Sequence, residues 1–232
     1  MFIVNSNLFS PRHLSQTEYR MQTAALFDLD GVLVDTEGQY TRFWKAVGEE
    51  DFPEIPDFAT RIKGHTLVQI YNQYYHEQSE KQASITSRLN RFELEMDFPL
   101  IPGALAFVEA LRAAGYRTAV VTSSNQAKFA CLLRHHPDFA SYFDRIFTAE
   151  DALRSKPAPD CYIAAARSLG FEASECYVFE DSINGLRAGY DSGAIVVGLT
   201  TTNTENTIKP YCCHTMADFT NIKVEQLVNL KR

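Results

Sequence analysis

Two aspartates one residue apart, Asp28 and Asp30, follow the apolar run Ala24 to Phe27 and precede Gly31. Successive strand residues alternate sides, so carboxylates at i and i+2 converge on one small volume where a strand ends. Two acids that close repel unless a cation or a proton separates them, which points to metal binding combined with acid/base work. Taken alone, the pair also fits a solvated junction between strand and turn. A calcium loop is excluded, because it would need an oxygen donor at Val32, glycine at Leu33 and glutamate at Gln39.

Three later segments place further polar groups after short apolar runs. Thr122, Ser123, Ser124 and Asn125 follow residues 118–121, and their hydroxyls and backbone N–H groups at a helix start suit an anion, although the same cluster also serves as an ordinary helix cap. Lys156 lies next to Pro157 and close to Pro159, whose rings stiffen the loop and favour a helix start there. That mounts a cation rigidly, or leaves a surface lysine ahead of a helix. Glu180 and Asp181 follow residues 177–179; they complete an oxygen-rich Mg²⁺ site with Asp181 as ligand and Glu180 beside it, or simply favour the positive end of the next helix.

The elements that must position these groups alternate. Residues 24–29, 118–121, 145–147, 177–179 and 194–197 read as short buried strands, and 104–114, 126–135, 160–169 and 183–193 as helices that stop near Gly115, Gly170 and Gly193. This alternation predicts an α/β fold: a doubly wound, Rossmann-like parallel sheet with helices on both faces. Residues 36–98 break the rhythm. They hold no clear strand, and Tyr40, Phe43, Trp44 and Val47, then Ile62, Val68, Ile70 and Tyr74, recur at helical spacing. We expect an inserted α-helical cap domain there, overhanging the sheet's carboxyl edge, where open α/β sheets bind ligands. The expected division is an N-terminal tail over 1–21, a catalytic core of 22–35 and 99–232, and a cap of 36–98. Beyond Thr200 a polar loop precedes a closing helix over 224–230.

Composition narrows the partners. The 232 residues carry a net charge of -7 with no run of lysine or arginine, which argues against a nucleic-acid footprint. No apolar stretch approaches the roughly 20 residues of a membrane helix, and the N-terminus lacks the long apolar region of an export signal. Cys131, Cys161, Cys176, Cys212 and Cys213 are odd in number and show no C-x-x-C spacing, as expected of reduced thiols in a cytoplasmic protein.

In order, the chain presents an acid pair, a hydroxyl cluster, a lysine and a second acid pair. Together they resemble the four motifs of the haloacid dehalogenase-like phosphotransferases, over roughly residues 24–199. The insertion point is similar to that of members with a small helical cap, in the branch that contains β-phosphoglucomutase and phosphoglycolate phosphatase. A dehalogenase proper would lack the second acid, and Asp30 is present. The resemblance implies a Mg²⁺-dependent phosphatase acting on a small phosphorylated metabolite such as a sugar phosphate. It makes Asp28 the nucleophile that becomes an aspartyl-phosphate, Asp30 the general acid and base, and Thr122 and Lys156 the groups on the phosphoryl oxygens. Mg²⁺ would lie on Asp28, the Asp30 backbone carbonyl and Asp181, with Glu180 adjacent. Gly31, Ser123, Ser124 and Asn125 would surround the phosphoryl group, and Thr36, Glu37, Tyr40, Trp44, Lys63, Gly64 and His65 are candidates to meet the leaving group.

A β-phosphoglucomutase-type phosphomutase is the alternative. Lys63, Gly64, Thr36 and Trp44 resemble its cap, but Tyr40 stands where the mutase pattern has a histidine and Leu67 where it has an arginine. Losing that arginine removes a bidentate phosphate clamp, so hydrolysis is expected. A phospho-ligand-binding protein without turnover is the third reading, opposed by the intact Asp28, Asp30, Lys156 and Asp181.

Overall fold

Parallel strands buried on both faces read as continuous apolar runs, and the first strand is of that kind. The computed structural model describes residues 23–230, so the expected tail over 1–21 lies outside the described residues. Strand β1 (Ala24–Phe27) is wholly buried. It pairs in parallel with β2 (Arg117–Val121) on one side and β4 (Cys176–Glu180) on the other; β3 (Arg145–Phe147), β5 (Ile195–Leu199) and β6 (His214–Met216) extend the sheet to the order β3-β2-β1-β4-β5-β6. Strand order reverses at β1, which places the crevice of the fold beyond its carboxyl end.

Alternate residues of β1 enter different cores. Ala25 and Phe27 join one cluster with Phe107, Leu111, Phe129 and Leu132, supplied by α5 (Ala104–Ala113) and α6 (Gln126–His135). Ala24 and Leu26 join the other with Tyr162, Ala165 and Leu186, supplied by α7 (Asp160–Ser168) and α8 (Ile183–Ser192). Phe27 and Phe179 are register partners whose rings stack at 4.6 Å, one residue before Asp28 and Glu180. That rigid floor fixes where the two acids emerge.

Between β1 and α5 the chain forms α1 (Glu37–Asp51), α2 (Phe58–Arg61), α3 (Leu67–Tyr74) and α4 (Ser79–Glu95), and no strand. Trp44, Val47, Phe58, Ile62, Ile70, Tyr75, Ile85 and Leu89 make a core of their own there. The outgoing and returning chains run side by side, with Asp35 N–H donating to the Pro99 carbonyl (2.7 Å) and Ile101 N–H to that of Leu33 (3.0 Å). Val68, expected to face inward with Ile70, is instead 66% exposed, because residues two apart on a helix point to opposite sides.

Other differences are local. The ladder of β1 stops at Phe27 while Leu29, still fully buried, belongs to the turn. β6 was not expected, α9 (Glu205–Ile208) lies in the segment read as a polar loop, and the closing helix α10 spans only Val224–Leu227. Gly115, Gly170 and Gly193 each take φ of 90°, the left-handed conformation that ends a helix. No helix among the described residues is long and apolar enough to cross a membrane.

Candidate active site

Four strand ends supply the site: Asp28 follows β1, Thr122 follows β2, Lys156 lies in the loop between β3 and α7, and Glu180 and Asp181 close β4. The Lys156 ammonium is the hub. It donates to Asp28 Oδ1 (2.7 Å), Glu180 Oε1 (2.7 Å) and the Val121 carbonyl (3.0 Å), which uses all three of its donors. The Tyr162 ring lies 4.9 Å from it. Burial opposes the charge, yet Asp28 and Glu180 outweigh it and hold Lys156 protonated well above the usual lysine range.

Glu180 is fully engaged. Oε1 accepts from Lys156 and the Tyr162 hydroxyl (3.0 Å), and Oε2 accepts from Asp181 N–H, Ser182 N–H and the Ser182 hydroxyl. A Cβ at Gly185 would overlap this carboxylate, so only glycine fits the first turn of α8 there. Gly31 is similarly constrained: it turns with φ of 73°, and a Cβ would strike the Asp181 carboxylate. Asp181 accepts from the Thr202 hydroxyl on Oδ2 and from Asn203 Nδ2 on its carbonyl.

Asp28, Glu180 and Asp181 each offer a carboxylate oxygen within 4.8 Å of the others, all buried. When all three are ionised, three carboxylates and one ammonium leave two negative charges in this buried cluster. The acids record that excess. Burial foremost, with Glu180 and Asp30 adding to it against the opposing Lys156, raises Asp28 to about 7. Burial and the neighbouring Glu180, Asp28 and Glu37 lift Asp181 well above its ordinary value. An oxygen-only donor set with two uncompensated charges suits a hard divalent cation. Because Glu180 is saturated by its donors, Asp28 and Asp181 are the carboxylates free to hold it.

The Asp30 carboxylate lies outside that trio. Its Oδ1 accepts from the Thr36 hydroxyl and from Lys128 Nζ (2.6 Å), and its Oδ2 from the Ser124 hydroxyl (2.8 Å). Burial pushes its pKa up, but the Lys128 charge and these three donors prevail and hold it below the ordinary value.

A cavity of about 570 Å³ opens above these groups, lined by the core residues Asp28, Asp30, Thr122, Ser123, Ser124, Asn125, Lys156 and Asp181 and by Glu37, Tyr40, Trp44, Lys63, Gly64 and His65 from the helical segment. Thr36 and Gly31, two candidates for substrate contact, are not among the lining residues: Thr36 is fully buried with its hydroxyl turned onto Asp30, and Gly31 packs on Asp181. The Asn125 side-chain oxygen Oδ1 caps α6 by accepting from Lys128 N–H, and Thr122 Oγ1 accepts from Ser124 N–H. Gly64 contributes its carbonyl to Asn184 Nδ2 of α8 (2.6 Å), a direct link between the helical segment and the core.

Sequence reasoning passed over Lys128, Tyr162, Asn184 and Thr202. Lys128 alone left a readable signal: it lies three residues past Asn125, and side chains in a helix's first turn lean back toward its N-terminus.

A family model described as haloacid dehalogenase-like hydrolase matches residues 22–193. The chain is 30% identical over 179 residues to hexitol phosphatase A of Escherichia coli, covering 75% of this chain and 81% of the relative. It is 28% identical over 213 residues to a β-phosphoglucomutase of Mycobacterium bovis, covering 77% and 81%. It spans 19% of the length of a longer chloroplastic relative from Arabidopsis thaliana, SUPPRESSOR OF QUENCHING 1. A solved hydrolase of the same superfamily, family IA variant 3, from Entamoeba histolytica superposes with a TM-score of 0.77 at 26% identity, covering 90% of this chain and 98% of that one.

Proposed function

This chain belongs to the haloacid dehalogenase-like hydrolases, and from that premise we propose that it is a Mg²⁺-dependent phosphatase that cleaves a small phosphomonoester through an aspartyl-phosphate on Asp28. The observation that carries the proposal is the buried trio of Asp28, Glu180 and Asp181, the first two paired with Lys156, with Asp30 held separately beside it.

In the first step an Asp28 carboxylate oxygen bonds to phosphorus as the ester P–O bond breaks, and Asp30, ionised in the free protein and protonated for this step once the anionic substrate lies beside it, gives that proton to the departing oxygen. In the second, Asp30 takes a proton from the water that attacks the aspartyl-phosphate, which frees inorganic phosphate and restores Asp28. Thr122 and Lys156 orient the phosphoryl oxygens. Mg²⁺, when bound by Asp28, Asp181 and the Asp30 backbone carbonyl, offsets negative charge on those oxygens. Glu180 keeps Lys156 charged and in place rather than meeting substrate.

Residues 36–98 act in this reading as a cap over the core of 22–35 and 99–232, and select the leaving group. His65 Nδ1, buried with no hydrogen-bond partner among the described residues, offers a polar contact to a hydroxylated leaving group. The relatives include a phosphatase acting on hexitol phosphates by name and a phosphomutase. Hydrolysis is favoured because no arginine among the described residues lines the cavity and Leu67 presents an apolar wall where a second phosphate would need a clamp. All five cysteines are free, which fits a reducing cytoplasmic setting, and we extend the proposal to it.

A Mg²⁺-dependent phosphate-release screen over hexitol, sugar and nucleoside monophosphates, run beside a β-glucose 1-phosphate isomerisation assay with its bisphosphate activator, tests this reading. Phosphate release on at least one monoester supports it; isomerisation outrunning release would favour the mutase, and inactivity throughout would favour a binding protein.

Metal binding should also register without turnover. At ~100-fold excess over its Kd, Mg²⁺ adds about 2.7 kcal/mol of stability, several degrees of Tm. The increment should be larger at about pH 8 than at about pH 6. The metal-free fold raises Asp28 from 3.8 to about 7, so protons occupy the ligand set below that value and compete with the cation. By the same sign, metal-free stability falls as pH rises through this window. An equal or smaller increment at the higher pH would argue against Asp28 as a ligand.

A further inference from the structure

We infer that Lys128 is a positioning residue that fixes the Asp30 carboxylate for proton transfer and ties it to the cap; this rests on the phosphatase reading above. Lys128 is a charged side chain only 3% exposed, in the first turn of α6, outside every segment that the sequence singled out. A buried ammonium is costly unless paired, and this one has two partners. Its Nζ donates to Asp30 Oδ1 at 2.6 Å and lies 4.5 Å from the centroid of the Tyr40 ring. Tyr40 belongs to α1, and its hydroxyl donates to Glu93 Oε1 of α4 at 2.7 Å. The chain of contacts therefore runs from Asp30 through Lys128 and Tyr40 to Glu93, from core to cap.

The arrangement gives the contact a mechanical purpose. Thr36 and Lys128 hold one Asp30 oxygen and Ser124 the other, so the carboxylate cannot rotate freely or swing toward the acidic trio. Lys128 is the sole donor of the three that carries charge, and it rests on the Tyr40 ring of the cap, whereas Thr36 donates from the cap's first residue. When α1 is against the core, Tyr40 lies beneath the ammonium and the acid is aimed.

The test is leaving-group dependence of kcat/KM, which reports events through departure of the leaving group and excludes the later attack by water. Phenyl and p-nitrophenyl phosphate are close in shape, yet phenolate needs a proton from Asp30 far more than p-nitrophenolate does. Lys128→Met lets Asp30 take its proton more readily but no longer aims it, so kcat/KM for phenyl phosphate should fall about 10²-fold, the lower end of a general acid's contribution, and p-nitrophenyl phosphate should stay within a few-fold; a gain on phenyl phosphate would overturn the positioning role. Lys128→Arg, which keeps charge and donors, should recover much of the loss. Tyr40→Leu, which leaves the ion pair intact, should show the same selectivity at smaller amplitude and serves if Lys128→Met does not fold. Equal losses on both esters, or none, would overturn the positioning role while leaving the phosphatase reading standing. Failure of the unmodified protein to hydrolyse with Mg²⁺ either ester or any monophosphate of the screen above would overturn the reading and the inference together.

Discussion

Asp28→Asn should abolish turnover, by about 10⁵-fold or more, since loss of a covalent nucleophile removes the reaction path and not merely one contact. The same change should not unfold the protein. Asp28 is a buried carboxylate whose ionised form is disfavoured by its surroundings, as its rise to about 7 records, and Lys156 keeps Glu180 and the Val121 carbonyl as partners when the charge is removed. Steady-state phosphate release together with a thermal melt checks both halves. Lost activity with Tm unchanged or slightly raised fits a chemical role; a collapse of Tm would mean that Asp28 is chiefly structural.

Lys156→Met has the opposite profile and should damage both. Removing one partner of a buried ion pair leaves its acid uncompensated and costs about 3–5 kcal/mol. Here two acids, Asp28 and Glu180, lose the same cation. For a chain of this size that cost corresponds to a fall in Tm of roughly 10 °C. Turnover should drop by about 10² to 10³, the effect of deleting one preorganised donor to a developing negative charge. Mg²⁺ should raise the Tm of this variant more than that of the parent, because it supplies charge the pocket now lacks. Lys156→Arg should not rescue, since a planar fork cannot reach three acceptors arranged around a single ammonium. A melt matching the parent's would contradict the role of hub.

Much of the site was legible because its groups follow strands whose apolar runs are visible. Asp28, Thr122 and the Glu180–Asp181 pair each end such a run, and a parallel sheet brings carboxyl ends together without further information. Gly115, Gly170 and Gly193 marked helix ends through a backbone conformation that other residues resist. The rest was decided by contacts distant in sequence. Lys128 meets Asp30 across 98 positions, and its place in the first turn after Asn125 was the one local sign that it faces the site. Thr36 was read as a substrate contact, but its hydroxyl is spent on Asp30. Leu29 extends the apolar run past the ladder because the turn, too, is buried, so hydrophobicity alone cannot say where pairing stops. β6, three residues long at the sheet edge and only partly buried, is too short for a period to register.

The central claim, that phosphate is carried on Asp28, is open to direct observation. Asp30→Asn protein, mixed with p-nitrophenyl phosphate and Mg²⁺ and quenched in acid, retains a good leaving group but lacks the base for the second step. We expect one phosphoryl group per chain, on the peptide containing Asp28 and absent from the Asp28→Asn, Asp30→Asn double variant. Phosphate on another residue, or release of p-nitrophenolate with no labelled peptide at any quench time, would contradict the account.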